Sequence, residues 1–128
     1  MINEKAQSQV QMLQMPLAKK LQIPEGTKVC VMNPPSGFHA DFPTMGDVHQ
    51  DPVLLFVKEA RELESRGKPV IEAAKKDQLV WIAYPKAGQM GTDLNRDIIW
   101  ELLKPHGIRP VRLVSLDDKW SAIRFRPG

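Results

Sequence analysis

The run QLVWIAYPK, residues 78–86, holds six consecutive apolar residues from Leu79 to Tyr84 with no polar alternation. Uninterrupted apolar runs of this length mark strands covered on both faces, the usual state of a parallel strand under helices. Two shorter runs precede it, KVCVM at 28–32 and PVLLFV at 52–57. Between the second and the third lies KEARELESRGKPVIEAAKKD, residues 58–77, which is charged and helix-prone; Gly67 and Pro69 are expected to divide it into two helical pieces. A strand, helix, strand unit of this size predicts a right-handed crossover and a parallel pair.

Downstream, the loop PKAGQMG leads into TDLNRDIIWELLKPHG, residues 92–107. Thr92 or Asp93 is suited to cap a helix whose apolar stripe is Leu94, Ile98, Ile99, Leu102 and Leu103, and Gly107 is placed to close it. RPVRLVSL and KWSAIRFR, rich in β-branched and aromatic residues and joined through Asp117-Asp118, read as an antiparallel pair. Upstream, PLAKKLQIPEG opens with a proline suited to a first helical turn and predicts a short helix before the first strand. Residues 1–15, rich in Gln and Met, read as a loosely ordered arm, with residues 16–128 forming one α/β domain.

The chain has 128 residues, 42% of them hydrophobic and 26% charged, which suits one globular domain with a real core. No apolar run approaches the roughly 20 residues of a membrane span. The first twenty residues carry Glu4 and no uninterrupted apolar stretch, which argues against a secretory signal and for the cytoplasm. Cys30 stands alone, so neither an internal disulfide nor a multi-cysteine zinc cluster can form, and His39, His49 and His106 show no ligand spacing; no metal is assigned. Net charge is +3, and residues 81–128 hold eight Lys/Arg against five Asp/Glu. Arg109, Arg112, Lys119, Arg124 and Arg126 are spread singly over two predicted strands and form no dense basic stripe, which points to solvated charges and away from nucleic acid.

PLAKKLQIPEG, LLFV and the long stretch WIAYPKAGQMGTDLNRDIIWELLKPHGIRPVRLVSLDDKWSAIRFRP resemble a family of small uncharacterised bacterial proteins known as a conserved domain of unknown function. The resemblance spans residues 16–127 and implies no particular reaction. The element order also resembles the later part of a methyltransferase-like Rossmann fold. It implies a three-layer domain with a mostly parallel five-stranded sheet, order 1-2-3-5-4, and an antiparallel last strand. In such a fold the loop after the first strand is glycine-rich and an acid ends the second strand. Here the loop is Asn33-Pro34-Pro35-Ser36-Gly37, whose prolines remove two N–H donors, and the candidate acid Asp51 precedes the second strand. No cofactor site is expected. Asn-Pro-Pro also holds the target amine in amino-methylating enzymes, but there an aromatic follows it at once; Ser36 and Gly37 make it a turn here.

Three other groups of residues carry a chemical reading. Asp117 and Asp118 near Lys119 could act as acid-base groups, but adjacent turn aspartates are far commoner. Lys86 with Gly88 and Gly91 before a helix could hold an anion, but Asp93 at the helix start would repel it. His106 beside Gly107 most simply meets the last carbonyls of its helix. The expected function is a non-catalytic interaction or regulatory module, with a protein partner or a second copy of the chain. The alternative is a small-molecule or anion-binding protein, enzyme or not, using a crevice at the strand carboxyl ends lined by Asn33, Ser36, Lys86, Thr92, Asp117 and Trp120. At about 100° per residue, Trp100 falls among Arg96, Asp97 and Lys104, on the side of its helix away from the apolar stripe. It is the candidate interaction residue.

Overall fold

A computed structural model describes residues 15–86 and 89–128. Residues 1–14 of the expected arm, 1–15, and Ala87 and Gly88 of the loop PKAGQMG lie outside the described residues. The elements run α1 (Leu17–Lys20), β1 (Cys30–Met32), β2 (Val53–Phe56), α2 (Ala60–Lys75), β3 (Val80–Pro85), α3 (Arg96–Leu103), a 3-10 turn (Lys104–His106), β4 (Ile108–Ser115) and β5 (Trp120–Pro127). Every residue of β2 and β3 is buried, as their uninterrupted apolar sequences require.

The strands lie in the order β1-β2-β3-β5-β4. The expectation of a mostly parallel, three-layer Rossmann-like domain is corrected on two counts. Two of the four pairings are parallel, β1 with β2 and β2 with β3, and two are antiparallel, β3 with β5 and β5 with β4, so the sheet is mixed. The cause is the tight turn Leu116–Lys119, closed by the Asp117 carboxylate, which returns the chain antiparallel as β5, the strand that lies beside β3. The helices are also too few for two layers. α2 and α3 cover one face, over a core of Val53, Leu55, Val80, Ile82, Ile123 and Phe125. The other face, built on Leu54, Phe56, Trp81, Trp120 and Ala122, is covered by one-turn α1 and by Phe38 and Phe42 of the loop after β1.

α2 is a single helix of 16 residues with Pro69 inside it, so the expected break at Gly67 and Pro69 does not occur. Leu63, Gly67, Val70, Ile71 and Ala74 recur at helical spacing and are all buried against the sheet. That continuous apolar face outweighs the hydrogen bond that proline removes. α3 begins two residues later than expected, because its N-cap is Asn95, whose Oδ1 accepts from the Ile98 N–H at 2.8 Å. Its phase is as the stripe implies for Ile99 and Leu103, which are buried, whereas Ile98 is 39% exposed.

The loop layer is pinned at two points. Trp81, 1% exposed, donates its indole N–H to the Leu21 carbonyl at 2.9 Å, which fixes the end of α1 over the sheet. At the β1 edge the segment around Met45 forms an antiparallel bridge to Cys30, with the Val29 N–H donating to the Pro43 carbonyl and the Gly46 N–H to the Val29 carbonyl. This covering shields one sheet edge from further pairing. It depends on Gly46, where an added Cβ would lie 2.6 Å from the Val29 carbonyl carbon and 2.7 Å from the Cys30 nitrogen. Gly46→Ala is therefore expected to lower the unfolding free energy by about 1–3 kcal/mol in urea titration; an unchanged midpoint would contradict this close approach.

Candidate functional site

The six residues expected to line one crevice divide into two groups. Ser36, Asp117 and Trp120 line a single groove of about 500 Å³ between the loop after β1 and the β4–β5 turn, together with His39, Lys119 and Met90. Its floor is aromatic: the Phe56 ring lies 4.9 Å from Phe38 and 5.1 Å from Trp120, both edge-on. Trp120 is itself buried by these contacts. Asp117, the most chemically suggestive residue of the set, spends one oxygen on the turn, accepting from the Lys119 and Trp120 N–H groups at 2.7 and 2.8 Å. This is an Asx-type turn, the bland reading of paired turn aspartates.

Asn33 and Thr92 are held elsewhere, and Lys86 meets Asp117 only in a separate small pocket at the β4–β5 turn. Asn33 adopts a left-handed φ of 56°, which asparagine tolerates, and its amide donates to the Phe56 carbonyl at 2.9 Å and to the Glu62 carboxylate at 2.8 Å. The other Glu62 oxygen accepts from the Lys58 and Glu59 N–H groups at 2.8 and 3.1 Å, two of the donors left open at the start of α2. Thr92 Oγ1 donates to the Lys58 carbonyl at 2.6 Å and accepts from the Leu94 N–H, while Asp93 accepts from the Ala60 N–H at 2.9 Å. Asn33, Glu62, Thr92 and Asp93 thus form a polar latch that ties two loops to the first turn of α2. The candidate acid Asp51 accepts from the Asp47 N–H, on the far side of β2. Lys86 donates to Ser115 Oγ at 2.8 Å and bridges the end of β3 to the end of β4.

Electrostatics agree with these structural roles. Burial alone would raise the Glu62 pKa, but hydrogen bonds from Lys58, Asn33 and Glu59, with Arg66 nearby, outweigh it and hold the carboxyl below its ordinary value. Burial pushes the Cys30 thiol up, and Asp47 and Asp51 add to the effect, so it is a poor nucleophile. No cluster of three or more His, Cys, Asp or Glu residues suited to a metal occurs among the described residues. A second cleft, about 430 Å³ between α2 and α3, has an apolar floor of Leu63, Ile71 and Leu102 and a rim of Glu64, Glu72, Lys68 and Lys75, with both signs balanced.

Two surface features matter more. Trp100 is 41% exposed, with the Lys104 ammonium 5.6 Å from its ring centre, the lysine-stem packing that its helix phase allows. The second feature was hidden in the sequence: the arginines of β4 and β5 are not scattered. Arg109 stands opposite Arg126, and Arg112 opposite Arg124. The signal that could have revealed this is the register, which requires knowing that Val111 is bulged out. No protein-family model, curated protein or solved structure matches the chain.

The latch has a measurable pH signature. Because the folded-state pKa of Glu62 is lowered, its stabilisation is fully present above the unfolded value near 4.5 and is lost as pH falls through that value and below it. Glu62→Gln should be less stable than the parent at neutral pH in chemical denaturation, and the gap should close as the pH is lowered from 5 toward 3. A gap independent of pH would show that the carboxylate charge plays no part in the latch.

Proposed function

We propose that this domain is a non-catalytic interaction or regulatory module, and that it meets its partner at the corner formed by α3 and β4. One observation carries the reading. Of the seven large apolar residues left exposed among the described residues, four lie on these two neighbouring elements: Ile98, Trp100, Val111 and Leu113. Scattered exposed hydrophobics are ordinary, but a cluster that includes a tryptophan is the composition of an interface anchor. The polar groups Asn33, Thr92 and Asp117 are, by contrast, engaged in holding loops to α2 and in shaping the β4–β5 turn.

Leu113 pairs with Ile123, whose side chain belongs to the core under α2 and α3, so Leu113 emerges on the same face as α3. Arg96, on the α3 flank that also carries Trp100, lines a shallow cleft with Leu113 and Tyr84. Trp100 and Leu113 therefore border one surface. A partner covering it would gain aromatic and aliphatic burial worth about 25 cal/mol per Å². The groove at Ser36, Asp117 and Trp120 supports a second reading, small-molecule or anion binding, because it retains His39 and Lys119 at its rim.

Trp100→Ala should leave the melting temperature within a few degrees of the parent, since Trp100 is 41% exposed and lies outside the buried core. It should at the same time weaken association, seen as a smaller weight-average mass in sedimentation velocity or as loss of a co-purifying protein. An unfolded variant would place Trp100 in the core, and an unaltered association profile would remove the corner as the interface.

A further inference from the structure

The four arginines share one face of the sheet. Arg124 is paired across β3 with Trp81, which belongs to the core on the loop-covered face, and Arg126 follows it two residues on. Their cross-strand partners Arg112 and Arg109 must project from that same face. Arg112 comes three positions after Arg109, a spacing that in a regular strand sends side chains to opposite faces. The bulge between Pro110 and Arg112 adds the residue that returns Arg112 to the side of Arg109.

Like charges directly opposite on adjacent strands are unfavourable, and little on the protein relieves these. Arg126 forms a two-point pair with Asp77, at 2.9 and 2.8 Å, and Arg124 donates to the Gln22 side chain at 3.1 Å. The Nε of Arg124 is buried without a partner among the described residues. Arg109 donates only to the Pro127 carbonyl, and Arg112 is exposed with no acidic partner among the described residues. The hairpin thus carries two rungs of paired guanidinium groups, with Asp77 the one acid bonded to them among the described residues.

We infer that this arginine ladder docks an acidic, extended segment of a partner protein along β4. The inference rests on the interaction reading above and supplies the chemistry of the partner. Guanidinium groups bind carboxylates through two parallel hydrogen bonds. The rungs repeat along the strand at roughly the 6.7 Å that separates alternate side chains of an extended chain, so Asp or Glu at every second position matches them. Among the described residues β4 is an uncovered edge of the sheet, with Leu113 and Val111 to receive the apolar residues in between. Pro110 and the bulge interrupt regular ladder bonding on that edge, which leaves side-chain contacts to decide the partner. The same charges oppose pairing of β4 with a second β4. Among the described residues this face offers no exposed aromatic for stacking bases, which favours an acidic peptide over single-stranded nucleic acid.

The test is fluorescence anisotropy with the full chain and a labelled peptide of alternating Glu and Val, set against a single-stranded oligonucleotide of equal charge. The peptide should bind saturably and more weakly as ionic strength rises. Arg109→Gln with Arg112→Gln should weaken it by roughly tenfold or more, while Arg66→Gln with Lys68→Gln on α2, the same loss of charge elsewhere, should change it less than twofold. The arginine variant should also melt no lower than the parent, because it removes two opposed like charges. Tighter binding of the oligonucleotide would assign the ladder to nucleic acid and overturn the inference, as would equal losses from the two double variants or no peptide binding at all. If the peptide result fails while Trp100→Ala still alters association, the corner remains an interface and only its acidic partner is excluded.

Discussion

The placement of β5 between β3 and β4 is the constraint on which the remaining structure depends. β3 is buried along its whole length and pairs in parallel with β2 on one side, so the other side needs a second strand. β5 fills that position antiparallel, over six residue pairs from Val80–Phe125 to Pro85–Trp120. The same strand delivers Ile123 and Phe125 to the core beneath the helices and Ala122 and Trp120 to the core beneath the loops. Farther along the loop-covered face it carries the half-buried Arg124 and the exposed Arg126 beside β4. One strand thus fixes both cores, the floor of the groove and the arginine ladder.

The sequence was most legible where burial is extreme. The apolar runs of β2 and β3 and the helical spacing of α2 and α3 can be read directly, since only a fully covered strand or a one-sided helix justifies them. The short β1 was also within reach, although its own burial is only partial. The sheet's mixed character was less legible, because uninterrupted apolar strands suggest a doubly covered parallel sheet and say nothing of what covers them. On the second face the cover is a one-turn helix and aromatic loop residues, which have no periodicity to detect. Pro69 was overweighted as a breaker: its local cost is real, but five buried residues on one helical face exceed it.

The candidate site was legible in part. Ser36, Asp117 and Trp120 come together because each stands at a strand end on the same side of the sheet. Asn33 and Thr92 are expected from the sequence to line a crevice, yet they bond the Phe56 and Lys58 carbonyls in the link from β2 to α2, a demand invisible until the two loops are known to meet there. The arginines were misread for a related reason. Singly spaced charges on two strands look solvated, and only the cross-strand register shows that they oppose one another. A single bulged residue, Val111, decides that register, and bulges leave no dependable mark in sequence.

The bulge is therefore the point at which the account is most exposed, and the nuclear Overhauser contacts between β4 and β5 address it directly. The structure requires that protons of Arg112 lie close to those of Arg124 and those of Leu113 close to Ile123, with Val111 unpaired, while Ile82 contacts Ile123 across β3 and β5. Contacts of Val111 with Arg124 and of Arg112 with Ile123 would instead mean an unbulged ladder. Arg112 would then turn to the helix-covered face, and the paired arginines would not exist.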